Sequence, residues 1–315
     1  MTHGPTDVVS RLVAREALAD DRRHCPVCGA DTRSAGTFRG RVSGRDFQLR
    51  QCPGCWFAFV ADPELDVGHV YDETYFTGGG PDRFVNYAGE SRDPRATIRQ
   101  QEWLGIERRV RSLVTLTAES AWLDYGCGAG GLVAFLRTRG VPRAEGFDPS
   151  PAAKRFMPPG IEMVSTDRLA DLRGHFDVVT AIEVLEHVPD PVAELALMRS
   201  LLRPGGLLFV TTGNARPHRN RLSAWPYVMP EVHISFFEPA TLAAAMERAG
   251  LRPAFPGYGP GWTGIVRYRI LKRLRRRRNS PLDRLVPWPL VCRLVNWRVG
   301  LAAQPVGWNV PPAGA

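Results

Sequence analysis

Between residues 121 and 211, short apolar runs alternate with longer stretches of mixed polarity, the rhythm of strands exchanged with helices. Trp122-Leu123 leads into an acid and then a glycine cluster. Leu132-Val133-Ala134-Phe135-Leu136 follows and can open a helix. Residues 144–148, 176–181 and 207–211 read as further strands, and 163–167 as another that ends in polar residues. Asp190-Pro191 starts a helix over 192–202, and Pro239 starts one over 239–249 with Gly250 as its stop. Upstream, 97–114 places Trp103, Ile106, Val110 and Leu113 on one helical face. The pattern predicts an α/β domain with strands and helices in alternation.

The chemistry concentrates at the first strand end, W-L-D-Y-G-C-G-A-G-G over 122–131. Glycines there let the backbone approach a ligand and adopt positive φ without steric cost. The helix start behind them offers unpaired N–H groups. Asp148 ends the next strand about 20 residues past the glycines, where a carboxylate accepts hydrogen bonds from ribose hydroxyls. A glycine turn alone also suits dinucleotide enzymes, and Gly126, Gly128 and Gly131 match that spacing too.

The segments after the turn narrow the choice. L-D-Y-G-C-G-A-G-G, G-F-D-P-S, F-D-V-V-T-A-I-E-V-L-E-H-V and L-R-P-G-G-L-L-F-V resemble, in order and spacing, class I S-adenosylmethionine (SAM)-dependent methyltransferases. The resemblance runs over residues 95–251. It implies a Rossmann-like, mostly parallel sheet with an antiparallel edge strand, and SAM as methyl donor. It implies close backbone approach at Gly126, Cys127, Gly128 and Gly130, and an orienting role for Asp124. Asp148 would bind the ribose, Asp167 the adenine amino group, and Glu183 would lie on the methionine side. On the acceptor side His233, before aromatics and a helix, is the favoured general base, with Glu231 assisting. His187 is a second candidate, because histidine is poised near neutral pH.

Ahead of this domain, Cys25-Pro-Val-Cys28 and Cys52-Pro-Gly-Cys55 form two C-x-x-C knuckles within residues 24–62. That spacing suggests a structural Cys₄ zinc site with no open coordination position. The alternative is four free or disulfide-paired thiols. Phe38, Val42 and Phe47 in the intervening loop suggest a small β-hairpin. The segment resembles the zinc-ribbon front of methyltransferases from polysaccharide and secondary-metabolite pathways. Residues 63–94 are rich in aromatics and glycine. They form either a lid hinged at Gly78–Gly80 or a tether packed on the core, with the hydroxyls of Tyr75 and Tyr87 available to cofactor or substrate. The insert over 212–232 is placed to shape a substrate pocket.

The organisation expected is a leader (1–23), a zinc ribbon (24–62), a lid or linker (63–94), the SAM-binding domain (95–264) and a basic extension (265–315). The net charge of +9 is local: 265–300 holds eleven Arg or Lys against one acid, Asp283. The near-neutral remainder argues against a nucleic-acid partner; the resemblance implies a small-molecule acceptor, an activated sugar or a natural-product or polysaccharide intermediate, with an RNA methyltransferase gripping through the ribbon and Arg-rich tail and a non-catalytic SAM binder as alternatives. Two readings of the extension stay open: a peripheral membrane contact through 265–300, or, favoured, a helix that covers the sheet and leaves a solvated basic face. The N-terminus lacks a signal-peptide pattern, so a cytoplasmic protein is expected.

Overall fold

The computed structural model describes residues 23–64, 71–80, 86–92, 94, 97–256, 263–274, 281–299 and 306–309. Almost all of the expected leader lies outside the described residues. Strands β4 (Ala121–Tyr125), β5 (Arg143–Phe147), β6 (Phe176–Ile182) and β7 (Leu202–Thr211) pair in parallel, and every residue of β4 is buried. That burial on both faces explains why β4 shows no apolar–polar alternation, its one acid, Asp124, being buried too. Helix α1 (Arg99–Arg111) turns Ile106 and Val110 into the core, as its periodicity predicts. Helix α2 (Gly131–Thr138) follows the glycine turn. Helix α4 (Pro191–Leu201) starts where Asp190 accepts the Val192 and Ala193 N–H groups at 3.1 and 3.0 Å.

Two elements depart from expectation. Residues 163–167 do not form a strand. Met163 makes a single bridge to Gly146, and then Ser165 caps α3 (Thr166–Asp171) through the Arg168 N–H. A capping serine followed by Thr and Asp favours a helix start over a strand end. The antiparallel strand of the sheet is β10 (Val306–Asn309), from the far end of the chain. It lies between β7 and β9 (Leu251–Ala254), so the order is β5-β4-β6-β7-β10-β9. The antiparallel strand is thus next to the edge, and the extension contributes it.

The cysteine segment forms β1 (Arg33–Arg39), β2 (Asp46–Gln51) and β3 (Ala58–Val60), an antiparallel sheet. The expected hairpin is present: Phe38 pairs with Phe47, which is buried, while Val42 sits exposed in the turn. The sheet acquires a fourth strand, β8 (Ser235–Phe236), from the large domain. Its apolar residues divide between two clusters. Cys25, Val27, Cys52, Phe57 and Phe59 join the main core, and Phe47, Leu49, Ala58 and Val60 pack with Leu222, Val228 and Phe236 of the insert region.

In the extension, α6 (Thr263–Arg273) buries Ile265, Val266 and Leu271. Asp283 is almost wholly buried. It accepts from Arg267 Nε at 2.7 Å and from the Trp288 indole at 3.0 Å, at the start of α7 (Trp288–Val299). The only acid in the basic stretch therefore serves as an internal partner. Among the described residues no helix is long and apolar enough to cross a membrane.

Candidate active site

The carboxyl ends of β4, β5 and β6 converge on the glycine turn. Gly126, Gly128 and Gly130 all have positive φ (78°, 52° and 68°). A Cβ on Gly126 would come within 2.5 Å of Val184 Cγ2, so both conformation and space demand glycine there. The Gly126 and Cys127 N–H groups bond the Phe147 carbonyl at 2.7 and 2.9 Å, tying the turn to the end of β5. One residue further, Asp148 Oδ2 accepts the Gly128 N–H at 2.8 Å, and Oδ1 accepts the Ser150 N–H at 2.8 Å. The expected partnership of Asp148 with the glycines is a direct hydrogen bond. Burial raises the Asp148 carboxyl above its ordinary value, against the pull of those two N–H groups.

Asp124 lies beneath the turn. It is buried, accepts from Thr180 Oγ1 at 2.9 Å, and is pushed up to about 7 by burial. The Cys127 side chain turns into the core, where it packs against Gly146. Asp167 sits exposed in the first turn of α3 and not at a strand end. Tyr87 lies over the turn: a Cβ on Gly128 would meet its ring at 2.9 Å. Tyr75 and Phe76 are buried beside it, in a one-turn helix capped by Asp72 and packed on Ala153 and Phe156. Segment 71–80 is therefore seated on the domain, with the Tyr71 carbonyl receiving the Ser150 hydroxyl at 3.0 Å.

The second half of the site lies past β6. Glu183 adopts φ 54°, a left-handed conformation unusual for a residue with a side chain. Strain of that kind costs on the order of 1–3 kcal/mol and persists where the surroundings enforce it. The Tyr227 hydroxyl contacts Glu183 Oε2 at 2.8 Å and also Glu186, whose other oxygen accepts from Thr212 Oγ1 at 2.8 Å. The same hydroxyl receives the Gly213 N–H at 3.1 Å. A phenol has one proton to donate, so contact with both carboxylates requires one further proton on the Glu183–Glu186 pair. Burial, and then the neighbouring Glu186 charge, raises Glu183 to about 7; burial likewise raises Glu186. Glu183 is nonetheless exposed to solvent, whereas Glu186 is fully enclosed.

His233 and His187 lie beside Glu186 and meet edge to face, with ring centroids 4.8 Å apart, and Tyr227 lies 4.2 Å from His233. His233 Nδ1 is 2.8 Å from the Tyr227 carbonyl, and His187 Nδ1 is 2.8 Å from the Val232 carbonyl. A carbonyl only accepts, so His233 carries its proton on Nδ1, while His187 Nδ1 is also approached by the Tyr71 hydroxyl at 2.9 Å. Burial, and then the nearby His187, lowers His233 to about 3. Glu186, His187 and His233 each bring one ligand atom within 4.8 Å of the others, a spacing able to accept a cation as well as a proton.

Glu231 is not part of this cluster. Expected to assist His233, it faces the ribbon and accepts the N–H groups of Arg41, Val42 and Ser43 at 2.9, 3.0 and 2.6 Å. Its carboxylate is consumed by backbone, so the catalytic assignment does not hold. Sequence reasoning also missed Tyr227, Glu186 and Thr212. Glu186 had a signal, standing three residues from Glu183 and beside His187. Tyr227 had none beyond its place in the insert.

The four knuckle cysteines bring their sulfurs within 4.8 Å of one another, with Cys25–Cys55 at 3.5 Å and Cys28–Cys52 at 3.4 Å. These contacts are far longer than the ~2.05 Å of a disulfide and near the edge of a tetrahedron with metal–sulfur bonds of ~2.3 Å. All four are free thiols, which suits a single soft cation.

An α/β sheet whose first loop is a glycine turn held by the carboxylate of the next strand defines a nucleoside-cofactor protein. The chain belongs to the methyltransferase-domain family, whose model, described as "Methyltransferase domain", matches residues 96–254. It is 34% identical over 147 residues to the ubiquinone biosynthesis O-methyltransferase of Aeromonas salmonicida, covering 41% of this chain and 61% of that protein. It is 35% identical over 148 residues to the protein of the same name from Xanthomonas axonopodis, covering 41% and 62%. The chain thus spans about three fifths of these relatives' length. Among solved structures, an amino pentose methyltransferase from Micromonospora echinaspora aligns with a TM-score of 0.41 and 19% identity, over 54% of this chain and 90% of that one.

Proposed function

We propose that the protein transfers a methyl group from SAM to a small-molecule acceptor. The observation that carries this reading is the grip of Asp148 on Gly128 at the mouth of the sheet. SAM, when bound, supplies an electrophilic methyl on a positively charged sulfur. The chain's part is to bind and align. Gly126, Gly128 and Gly130 admit backbone close to the cofactor, and Asp148 presents carboxylate lone pairs to a ribose diol. Asp124 lies beneath the turn and, anchored by the Thr180 hydroxyl, orients it. Asp167 is the weakest of the cofactor assignments, since it stands exposed on α3.

On the acceptor side, Glu183 takes the proton of the attacking group. It is exposed to solvent, and its raised pKa suits proton exchange near neutrality. His233, the base favoured from sequence, is held neutral and buried, and it orders Tyr227 beside the carboxylates. The O-methyltransferase names of the relatives favour a hydroxyl acceptor. Cys25, Cys28, Cys52 and Cys55 would hold zinc in a structural role. The direct test is calorimetry with S-adenosylhomocysteine, followed by transfer of labelled methyl to a panel of phenols and amino sugars. Absence of any binding by the intact protein would overturn the reading.

A further inference from the structure

Glu231 is two residues from His233, 5% exposed, and spends its charge on the hairpin turn between β1 and β2. Burial alone would raise its carboxyl, but the N–H bonds from Ser43, Val42 and Arg41 outweigh this and hold it below the usual range. The turn is shaped for the contact: a Cβ on Gly40 would stand 2.6 Å from Glu231 Oε1. On the other side of His233, the Ile234 carbonyl accepts the Val60 N–H at 2.9 Å, and Ser235 and Phe236 pair with Phe59 and Ala58. The Ile234 N–H bonds the Glu186 carbonyl at 2.7 Å, and Ser235 Oγ donates to the Val188 carbonyl at 2.8 Å. His233 is therefore strung between two attachments to the cysteine-bearing sheet, and the residue after it links that sheet to the acidic loop. Further along, Thr241 donates to the Cys55 carbonyl, and Arg219 stacks on Trp56 at 4.2 Å while pairing with Glu238.

We infer that the cysteine ribbon is a positioning element of the acceptor side, and that Glu231 is the positioning residue that fastens it to the Tyr227–His233 segment. The inference rests on the acceptor reading of that cluster, but its geometry and its test do not need an acceptor. A glutamine at 231 offers one acceptor oxygen and an NH₂ to three N–H donors, so at least one of these N–H groups loses its protein partner.

The experiment compares wild type, Glu231→Gln and Gly40→Ala by amide hydrogen exchange. It adds a long-range ¹⁵N–¹H histidine spectrum at fixed pH and S-adenosylhomocysteine calorimetry, with zinc content and melting checked for each protein. The expected result is at least tenfold faster exchange at 232–236 in both variants and loss of the Nδ1-protonated signature of His233. Metal content should stay full and ligand affinity within twofold. Displacing the cysteine-bound metal from wild type with an organomercurial should reproduce the same exchange pattern. Unchanged exchange at 232–236 in folded variants would overturn the inference. So would a fall in ligand affinity equal to the loss at 232–236, which would make Glu231 a general stability residue. Failure of wild type to bind S-adenosylhomocysteine would instead sink the functional reading and leave the exchange comparison standing.

Discussion

Replacing Asp148 by alanine is the sharpest test of the cofactor half. In the wild type the carboxylate accepts the N–H groups of Gly128 and Ser150, each at 2.8 Å, and retains lone pairs for a ribose diol. The variant removes two prospective hydrogen bonds from cofactor hydroxyls to a charged acceptor, each of about 1.5–3 kcal/mol. It also releases the Gly128 N–H, so the turn loses part of its preorganisation. Water fills in for some of the loss, which leaves a net penalty of roughly 2–4 kcal/mol, or on the order of 30- to 1,000-fold in affinity. The assay is calorimetric titration with S-adenosylhomocysteine at pH 7.5, paired with a thermal melt to separate binding from folding. A melt within a few degrees of wild type with affinity changed less than threefold would refute the placement of the ribose at Asp148.

Other outcomes follow from the same geometry. Methyl transfer should rise with pH through about 7, as Glu183 ionises, and level off above it; Glu183→Gln should lose that rise, read from single-turnover rates between pH 5.5 and 9. Asp124 is raised in the fold from the ordinary ~3.9 of an unfolded carboxyl. The folded state thus holds its proton more tightly, and this group's contribution to stability falls as pH climbs from about 4 to about 7. Asp124→Asn should therefore gain on wild type across that window and hold a constant lead above it, measured by denaturant unfolding at each pH. Cys28→Ser should lose the bound zinc, measured by elemental analysis at one equivalent per wild-type chain, and lower the melting temperature. Asp283→Asn should cost roughly 2 kcal/mol or more in urea unfolding, because it weakens the hold on the largely enclosed Arg267.

The chain made its cofactor half legible because that half is local. A strand, a glycine turn and a strand-end acid announce themselves by order and spacing, and Asp148 meets Gly128 as those features imply. Residues 163–167 read as a strand but open a helix, because five apolar-to-polar residues are too few to outweigh a serine cap. The Glu183–Tyr227–His233 cluster was only partly readable because its contacts are long-range. Glu231 reaches residues nearly two hundred positions earlier, and Tyr227 meets Glu183 across 44. Nothing beside a glutamate in sequence tells whether its carboxylate will face a substrate or a distant turn. Strand β10 was hidden for a similar reason: Val-Gly-Trp-Asn is short, and its pairing with β7 is set by a gap that β7 and β9 leave open.

That gap bears on truncation. Residues 306–309 follow β9 by about fifty residues along the chain, yet they belong inside the sheet, between β7 and β9. Until residues 306–309 dock, β7 has an unsatisfied flank and β9 has no neighbour in the sheet. A stop codon near position 300 would therefore leave that flank bare, a sticky margin prone to pairing with other chains.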